Sequence, residues 1–282
     1  MRLRLAVALL ALAAVSAAAC SGGGNEVAAE QAIAAAPAKT ARAGSYRTDF
    51  SITTSGITGK PVKLTGEGIF DAEKRAGRMT LDMSRLGAAV GRRDLGVATI
   101  VFERLVVYLR LPFLRELQPK LKPWLALDLQ KLGEEEGIDL GGLEQLGESD
   151  PSRALAYLRG ASGKVEEVGQ EEIRGARTTH YRMTVDLHKA ARRDPSERES
   201  LERVIERSGV QKIPADVWVD DAGRVRRLKL AYENVRLAPG QEGDLTMRMD
   251  LFDFGVDVDV APPPAGRVTD VSDLAARSPG GS

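Results

Sequence analysis

The pattern that most restricts the fold is a two-residue alternation of apolar and polar side chains along most of the chain. Tyr46, Thr48, Phe50 and Ile52 share one parity. After a turn at Gly59–Pro61 come Val62, Leu64, Gly66, Gly68 and Phe70, then Met79, Leu81 and Met83. Ala98 to Phe102, Leu105 to Leu111 and Trp124 to Leu129 continue the pattern. Later, Tyr181, Met183, Val185 and Leu187 oppose His180, Arg182, Thr184 and Asp186. Val217 and Val219 oppose Asp216, Trp218 and Asp220; Leu228, Leu230 and Tyr232 continue the apolar face. Leu245, Met247, Met249 and Leu251 alternate with Thr246, Arg248 and Asp250. Alternation of this kind belongs to strands with one buried face. Hairpin signals such as Asp220-Asp221-Ala222-Gly223, where Gly223 supplies a positive φ, make the sheet mainly antiparallel. The expected class is α+β, built on a large curled antiparallel sheet of about ten strands. Its apolar concave face must be filled by helices or by something else. The glycines Gly66 and Gly68 predict a bend or a close approach by another group.

Between the strands lie helix signals. Val27 to Ala43 is alanine-rich, with Pro37 expected to kink or split it and Gly44 to stop it. Asp150-Pro151 starts a helix with the stripe Ala154, Leu155 and Leu158. Asp194-Pro195-Ser196-Glu197 starts another, with Leu201, Val204 and Ile205 buried and Gly209 at its end. The stretch 112–160 is otherwise apolar and punctuated by glycine; it reads equally as a mobile cover over the core or as an irregular connection. Pro262–Pro264 closes the sheet region, and Val268 to Ala276 forms a last short strand or helix.

The first twenty residues have a different logic. Arg2 and Arg4 precede an uncharged apolar run, Leu5 to Val15, then small residues and Cys20, the only cysteine. A basic start, an apolar core and small residues before a cut describe a signal peptide over 1–19. The run is too short for a span of about 20 residues. The small residues ending on cysteine also look like a bacterial lipobox, in which Cys20 would be lipidated, although Ala17 stands where leucine is more usual. The expected organisation is a signal peptide over 1–19, a lipidated cysteine and flexible tether over 20–26, one domain over 27–276 and a disordered tail over 277–282. An exported chain anchored to the outer face of the cytoplasmic membrane follows. Without 1–19 the chain has 38 basic and 40 acidic residues, which does not suggest nucleic acid. With one cysteine no intrachain disulfide can form, so burial alone must hold the domain.

Chemistry-bearing motifs are sparse. His180 and His188 lack the cysteine and histidine company of a metal centre and read as exposed polar residues. No G-x-S-x-G elbow and no phosphate-binding glycine loop occurs. Asp250, Asp253, Asp257 and Asp259 could suggest calcium, but alternation with Val256, Val258 and Val260 reads better as the polar face of a strand. The chain is therefore read as a non-enzyme without cofactor or metal. Met79, Met83, Met183, Met247 and Met249 fall on strands, as core filler or as the wall of an adaptable apolar pocket.

Several phrases resemble the actinobacterial LppX/LprG-type lipoproteins, which share the fold of the LolA/LolB carriers. They are PWLALDL from Pro123, SDPSRALAYLRGAS from Ser149, VEEVGQEEIRGARTTHYRMTVDL from Val165, IPADVWVDDAGRVRRLKL from Ile213 and MDLFDFGVDVDVAPPP from Met249. The resemblance covers residues 45–265. It implies an unclosed half-barrel of about eleven strands, helices in its concave mouth, and an apolar cavity for lipid or glycolipid acyl chains. It carries over no binding residue. Strand parity alone offers Val107, Leu109, Leu125, Leu127, Tyr181, Met183, Val185, Leu228, Leu230, Met247, Met249 and Leu251 as cavity lining. The implied partners are the membrane, through the anchor, and a lipid ligand. The competing expectation is an envelope sensor or scaffold with a filled core, whose protein partner would meet Trp218 and the outward face of the sheet. Replacement of Cys20 by alanine is expected to move the protein from the membrane to the soluble fraction on cell fractionation, because the lipid anchor is lost.

Overall fold

The structure is a computed structural model describing residues 22–56, 60–89, 91, 95–131, 155, 158, 161–193, 198–238 and 241–272. Cys20, the glycine-punctuated residues 132–147, both Asp-Pro helix starts and the tail 277–282 lie outside them. The chain opens with α1 (Gly22–Ala41), then β1 (Ser45–Thr54), β2 (Val62–Asp71), β3 (Ala76–Asp82) and α2 (Ser84–Ala89). Next come β4 (Val97–Glu103), β5 (Val106–Arg110), α3 (Leu114–Leu117) and β6 (Trp124–Asp128). The second half has β7 (Ala161–Ile173), β8 (Ala176–Asp186), α4 (Leu187–Arg193), α5 (Arg198–Ser208), β9 (Lys212–Asp220), β10 (Val225–Ala238) and β11 (Gln241–Phe252). A 3₁₀ turn, Ala265–Arg267, leads into β12 (Val268–Asp270).

Twelve strands form one unclosed sheet in the order β12-β6-β5-β4-β3-β2-β1-β11-β10-β9-β8-β7. All neighbours are antiparallel except β12, which runs parallel to β6. The count is thus one or two above expectation, and the sheet is mixed at one edge. Residues 253–264 carry the chain from the end of β11 to the start of β12 without joining a ladder. The alternating aspartates and valines there were expected as a strand; they join no ladder. Met83 likewise falls just beyond β3. The connection after β8 holds two helices where one was expected.

The expected helix at the start of the chain is present and longer. It begins at Gly22, inside the segment expected as a tether, and runs unbroken past Pro37. Gly44 (φ +75°) turns the chain into β1. Ala29, Ile33, Ala36 and Thr40 form the buried stripe of α1, spaced as one helix face requires. The Thr40 hydroxyl donates to the Ala36 carbonyl (2.8 Å) and accepts the Val225 N–H (2.9 Å). That second bond fixes the end of α1 to the β9–β10 hairpin, where Gly223 has φ +79°. The Asp220 carboxylate binds the turn from inside, accepting the Ala222 and Arg224 N–H groups.

The β2–β3, β4–β5, β7–β8 and β9–β10 turns share one end of the sheet, here the hairpin end. There Tyr46 stacks on Phe70 at 5.7 Å, Phe70 meets Phe102 at 6.2 Å and Phe254 meets Tyr46 at 6.3 Å. A chain poor in aromatics spends four of them on this floor. Helices α1, α4 and α5 cover the β7–β11 half through Ile33, Leu187, Ala190 and Leu201. Ile33 is fully buried under α1. Ile33→Ala is expected to lower the unfolding free energy by about 3 kcal/mol, through lost transfer energy plus a cavity, read from urea unfolding.

Candidate functional site

Strand register sorts the inner-face side chains into rows that cross the sheet. One row runs Ala98, Leu81, Gly66, Phe50, Met249, Leu228, Val217, Tyr181. Nearer the hairpin end runs Thr48, Gly68, Met79, Ile100, Leu109, Leu125, followed by Tyr46, Phe70, Gly77, Phe102, Val107, Leu127. The glycines in these rows make room for rings. A Cβ on Gly66 would overlap the Phe50 ring and the Thr80 carbonyl, and one on Gly77 would lie 2.5 Å from the Phe70 ring. The close approach that the paired glycines predict is therefore made by Phe50 and Phe70.

The two halves of this inner face differ. On β8 to β11, Val185, Leu228, Leu230 and Leu251 are 0% exposed and Met249 is 1% exposed. Tyr181 and Met183 are also buried, and burial raises the Tyr181 phenol above its ordinary value. On β1 to β6 the inward residues Phe50, Ile52, Leu64, Met79, Leu81, Ile100, Leu109, Leu125 and Leu127 are only half-buried, while Val107 is buried near the floor. Of the twelve residues offered by parity, Leu109, Leu125, Leu127 and Met247 are half-buried and the other eight are core. Parity identifies the inward face; it carries no information on which part of that face the helices cover. Leu155 and Leu158, from the stretch expected as a helix after Asp150-Pro151, are buried in the same core.

The outer face departs from expectation. His180 and Trp218 are buried there, at 6% and 7% exposure, and stack at 4.1 Å with planes 10° apart. His180 Nε2 lies 2.8 Å from Asp216, and Arg227 sits 5.5 Å above the Trp218 ring. The expected exposed histidine is thus an internal member of a stack, and Trp218 is not available to a partner. The tip of the β7–β8 hairpin reaches another part of this face. Arg174, in its turn, pairs with Asp49 of β1, lies 3.9 Å from Asp250 and sits 3.9 Å over the Phe252 ring. Three strands separate β8 from β1, so the tip lies back across the outer face.

Asp250 is the hub of this surface. It accepts from Arg227 (2.6 and 2.8 Å) and from Arg248 (3.1 and 2.8 Å). Burial alone would raise its pKa; the guanidinium hydrogen bonds and charges outweigh burial and hold it at about 2, down from 3.8. Among the described residues no group of three or more His, Cys, Asp or Glu side chains could hold a metal, and no helix is long and apolar enough to cross a membrane.

The loop end of the sheet, opposite the hairpin end, carries a surface depression of about 340 Å³ lined by Lys60, Pro61, Val62, Lys63, Arg85 and Ala89. None of the twelve parity residues lines it. Its cations are dispersed in sequence, over a turn, the start of β2 and a short helix.

No family model matches the chain. A Streptomyces coelicolor protein whose name carries the word lipoprotein is 29% identical over 149 residues, 53% of this chain and 41% of that protein. The matches to curated relatives span half of their length or less. Among solved structures, LprF from Mycobacterium bovis covers 84% of this chain and 97% of its own, with 12% identity and TM-score 0.46. LppX from Mycobacterium tuberculosis covers 82% of this chain and 99% of its own, with 13% identity and TM-score 0.45. LppX is one of the two proteins that name the family the sequence phrases resemble.

The depressed pKa of Asp250 sets an acid limit on stability. A carboxylate whose folded pKa lies below its unfolded value stabilises the fold above about pH 4, and that contribution is lost as pH falls toward 2. Asp250→Asn is expected to cost about 2 kcal/mol at pH 7 and to flatten the stability profile between pH 4 and 2, measured by urea unfolding across pH.

Proposed function

We propose that the chain is an exported lipoprotein, anchored through Cys20, that binds acyl chains of lipid or glycolipid against the β1–β6 wall. The observation that supports this reading is the unequal cover of one continuous apolar face. Half is packed shut by the protein's own helices; the other half stays half-buried, with aliphatic and methionine side chains on six strands. Each methylene moved from water onto such a wall contributes about 0.8 kcal/mol, so a dozen contribute about 10 kcal/mol before the cost of ordering the chain. Methionine and aliphatic side chains adapt to flexible chains without imposing a hydrogen-bond pattern. The reading assigns no reaction to the protein, and it leaves the direction of transfer open to experiment.

The filled β7–β11 half favours a second reading: an envelope sensor or scaffold whose core is complete and whose ligand is a protein. The two readings part on lipid content. Native mass spectrometry and organic extraction of the full-length protein, released in mild detergent, should show a bound lipid. Leu109→Asp should weaken binding of a fluorescent long-chain fatty acid about tenfold, since a charge on the wall cannot be buried unpaired. The unfolding midpoint should fall less than for a fully buried leucine, because Leu109 is half-buried against the core. A protein free of lipid that also fails to bind the fatty acid would sink the first reading in favour of the second.

A further inference from the structure

At the loop end the chain carries an apolar surface that it does not bury. The β5–β6 connection, residues 111–123, contains α3 and five large apolar side chains, Leu111, Phe113, Leu114, Leu117 and Leu121. None of the five is buried, and Leu117 is 53% exposed. A lone exposed leucine is ordinary; a whole connection whose large apolar side chains all stay short of the core is not. Trp124, half-buried at the first position of β6, adjoins it. So does Val97, 48% exposed at the start of β4, since a Cβ on Gly96 would lie 3.2 Å from Pro112.

The connection is nonetheless an ordered platform. Leu114 to Glu116 and Gln118 donate N–H bonds to carbonyls three or four residues earlier, at 2.8–3.2 Å. The Lys122 N–H donates to the Thr269 hydroxyl (3.1 Å) and so ties the connection to β12. A main chain that satisfies itself in this way can lie against the apolar boundary of a bilayer at little cost. The charge of the connection matches such a boundary. Arg115, Lys120 and Lys122 are exposed, with no ion pair among the described residues, and Glu116 is the one acid of residues 111–123. Lysine and arginine stems lie along apolar surface and carry their charge outward to the level of lipid phosphates. Leucine and phenylalanine between flexible cations, with a tryptophan beside them, fit a surface that is apolar below and anionic above.

We propose that the β5–β6 connection is a membrane-docking lip. Leu117 and its apolar neighbours enter the headgroup boundary of an anionic bilayer, and Arg115, Lys120 and Lys122 bind lipid phosphates there. The lip stands on its own observations and does not require the acyl-binding reading. Joined to that reading, it sets Leu109 and Leu125, the paired inward residues that flank the connection, beside the bilayer.

The test uses the full chain carrying Cys20→Ala, which removes the sole cysteine, so that Leu117→Cys or Ala222→Cys offers a single labelling site. Ala222 is exposed in the β9–β10 turn, at the hairpin end. Each site carries an environment-sensitive fluorophore and meets vesicles of phosphatidylcholine, alone or mixed equally with phosphatidylglycerol. On the mixed vesicles the Leu117→Cys label should shift to the blue and be quenched by shallow spin-labelled lipid, while the Ala222→Cys label should do neither. The triple variant Arg115→Gln, Lys120→Gln, Lys122→Gln should weaken the Leu117→Cys response about a hundredfold, about fivefold per cation, and high salt should weaken it too. Its unfolding midpoint should match that of the parent, since all three side chains are exposed. Silence of the Leu117→Cys label on every vesicle would overturn the lip and leave the surface to a protein partner. An equal response from both labels, or equal responses on both vesicle types and in the triple variant, would overturn docking of this surface through its cations. A response without vesicles that grows with protein concentration would assign the surface to a second copy of the chain and overturn the lip. Binding of a fluorescent fatty acid without vesicles separates the two readings. Its absence beside a responding Leu117→Cys label would overturn the acyl wall and support the lip; its presence beside a silent label would do the reverse.

Discussion

An apolar sheet face twelve strands wide cannot stay in water, and everything else in this chain answers that requirement. The sheet does not close on itself, so its inner face has to be covered by other parts of the chain or by a ligand. Helices α1, α4 and α5 supply the cover over β7 to β11, through small and branched side chains that let them lie close to the strands. An aromatic floor of Tyr46, Phe70, Phe102 and Phe254 seals the hairpin end. The remaining wall, on β1 to β6, keeps a hydrophobic face that is only half withdrawn from solvent. The functional reading grows from that imbalance.

The outer face obeys a different rule. Polar residues dominate it by parity, yet several are buried, and each buried charge there has a partner. Asp250 takes two arginines, Asp220 takes Arg224 and Arg226, and Asp216 takes His180 and Arg182. Pairing of this quality is what makes a buried carboxylate tolerable, because desolvation would otherwise drive it to protonate. A single polar face has thereby become a second, electrostatic layer.

Much of this was legible in the residues. Period-two alternation separated inner from outer side chains on β1, β2, β3, β8, β9, β10 and β11, and Gly44, Gly209 and Gly223 marked turns that do have positive φ. What alternation could not convey is cover. Leu228 and Leu109 follow the same inward rule, yet one is sealed and the other half-open, because helices distant in sequence decide which strands they shield. The stretch 256–260 alternates as a strand does and joins no ladder, since pairing depends on a partner edge that local pattern does not contain. His180 and Trp218 looked solvent-facing for the same reason. The hairpin tip that lies over that face begins its contacts at Arg174, 125 residues from Asp49.

That hairpin tip has a mechanical side. A half-barrel can fail by opening flat or by rolling up until its edges meet. Rolling up would lengthen the arc along the outside of the sheet. Arg174 ties β7–β8 to β1 along that very arc, so further curling would pull it away from Asp49 and off the Phe252 ring. The tie therefore works as a stay on the outside of a bow, set to resist further curling of the sheet.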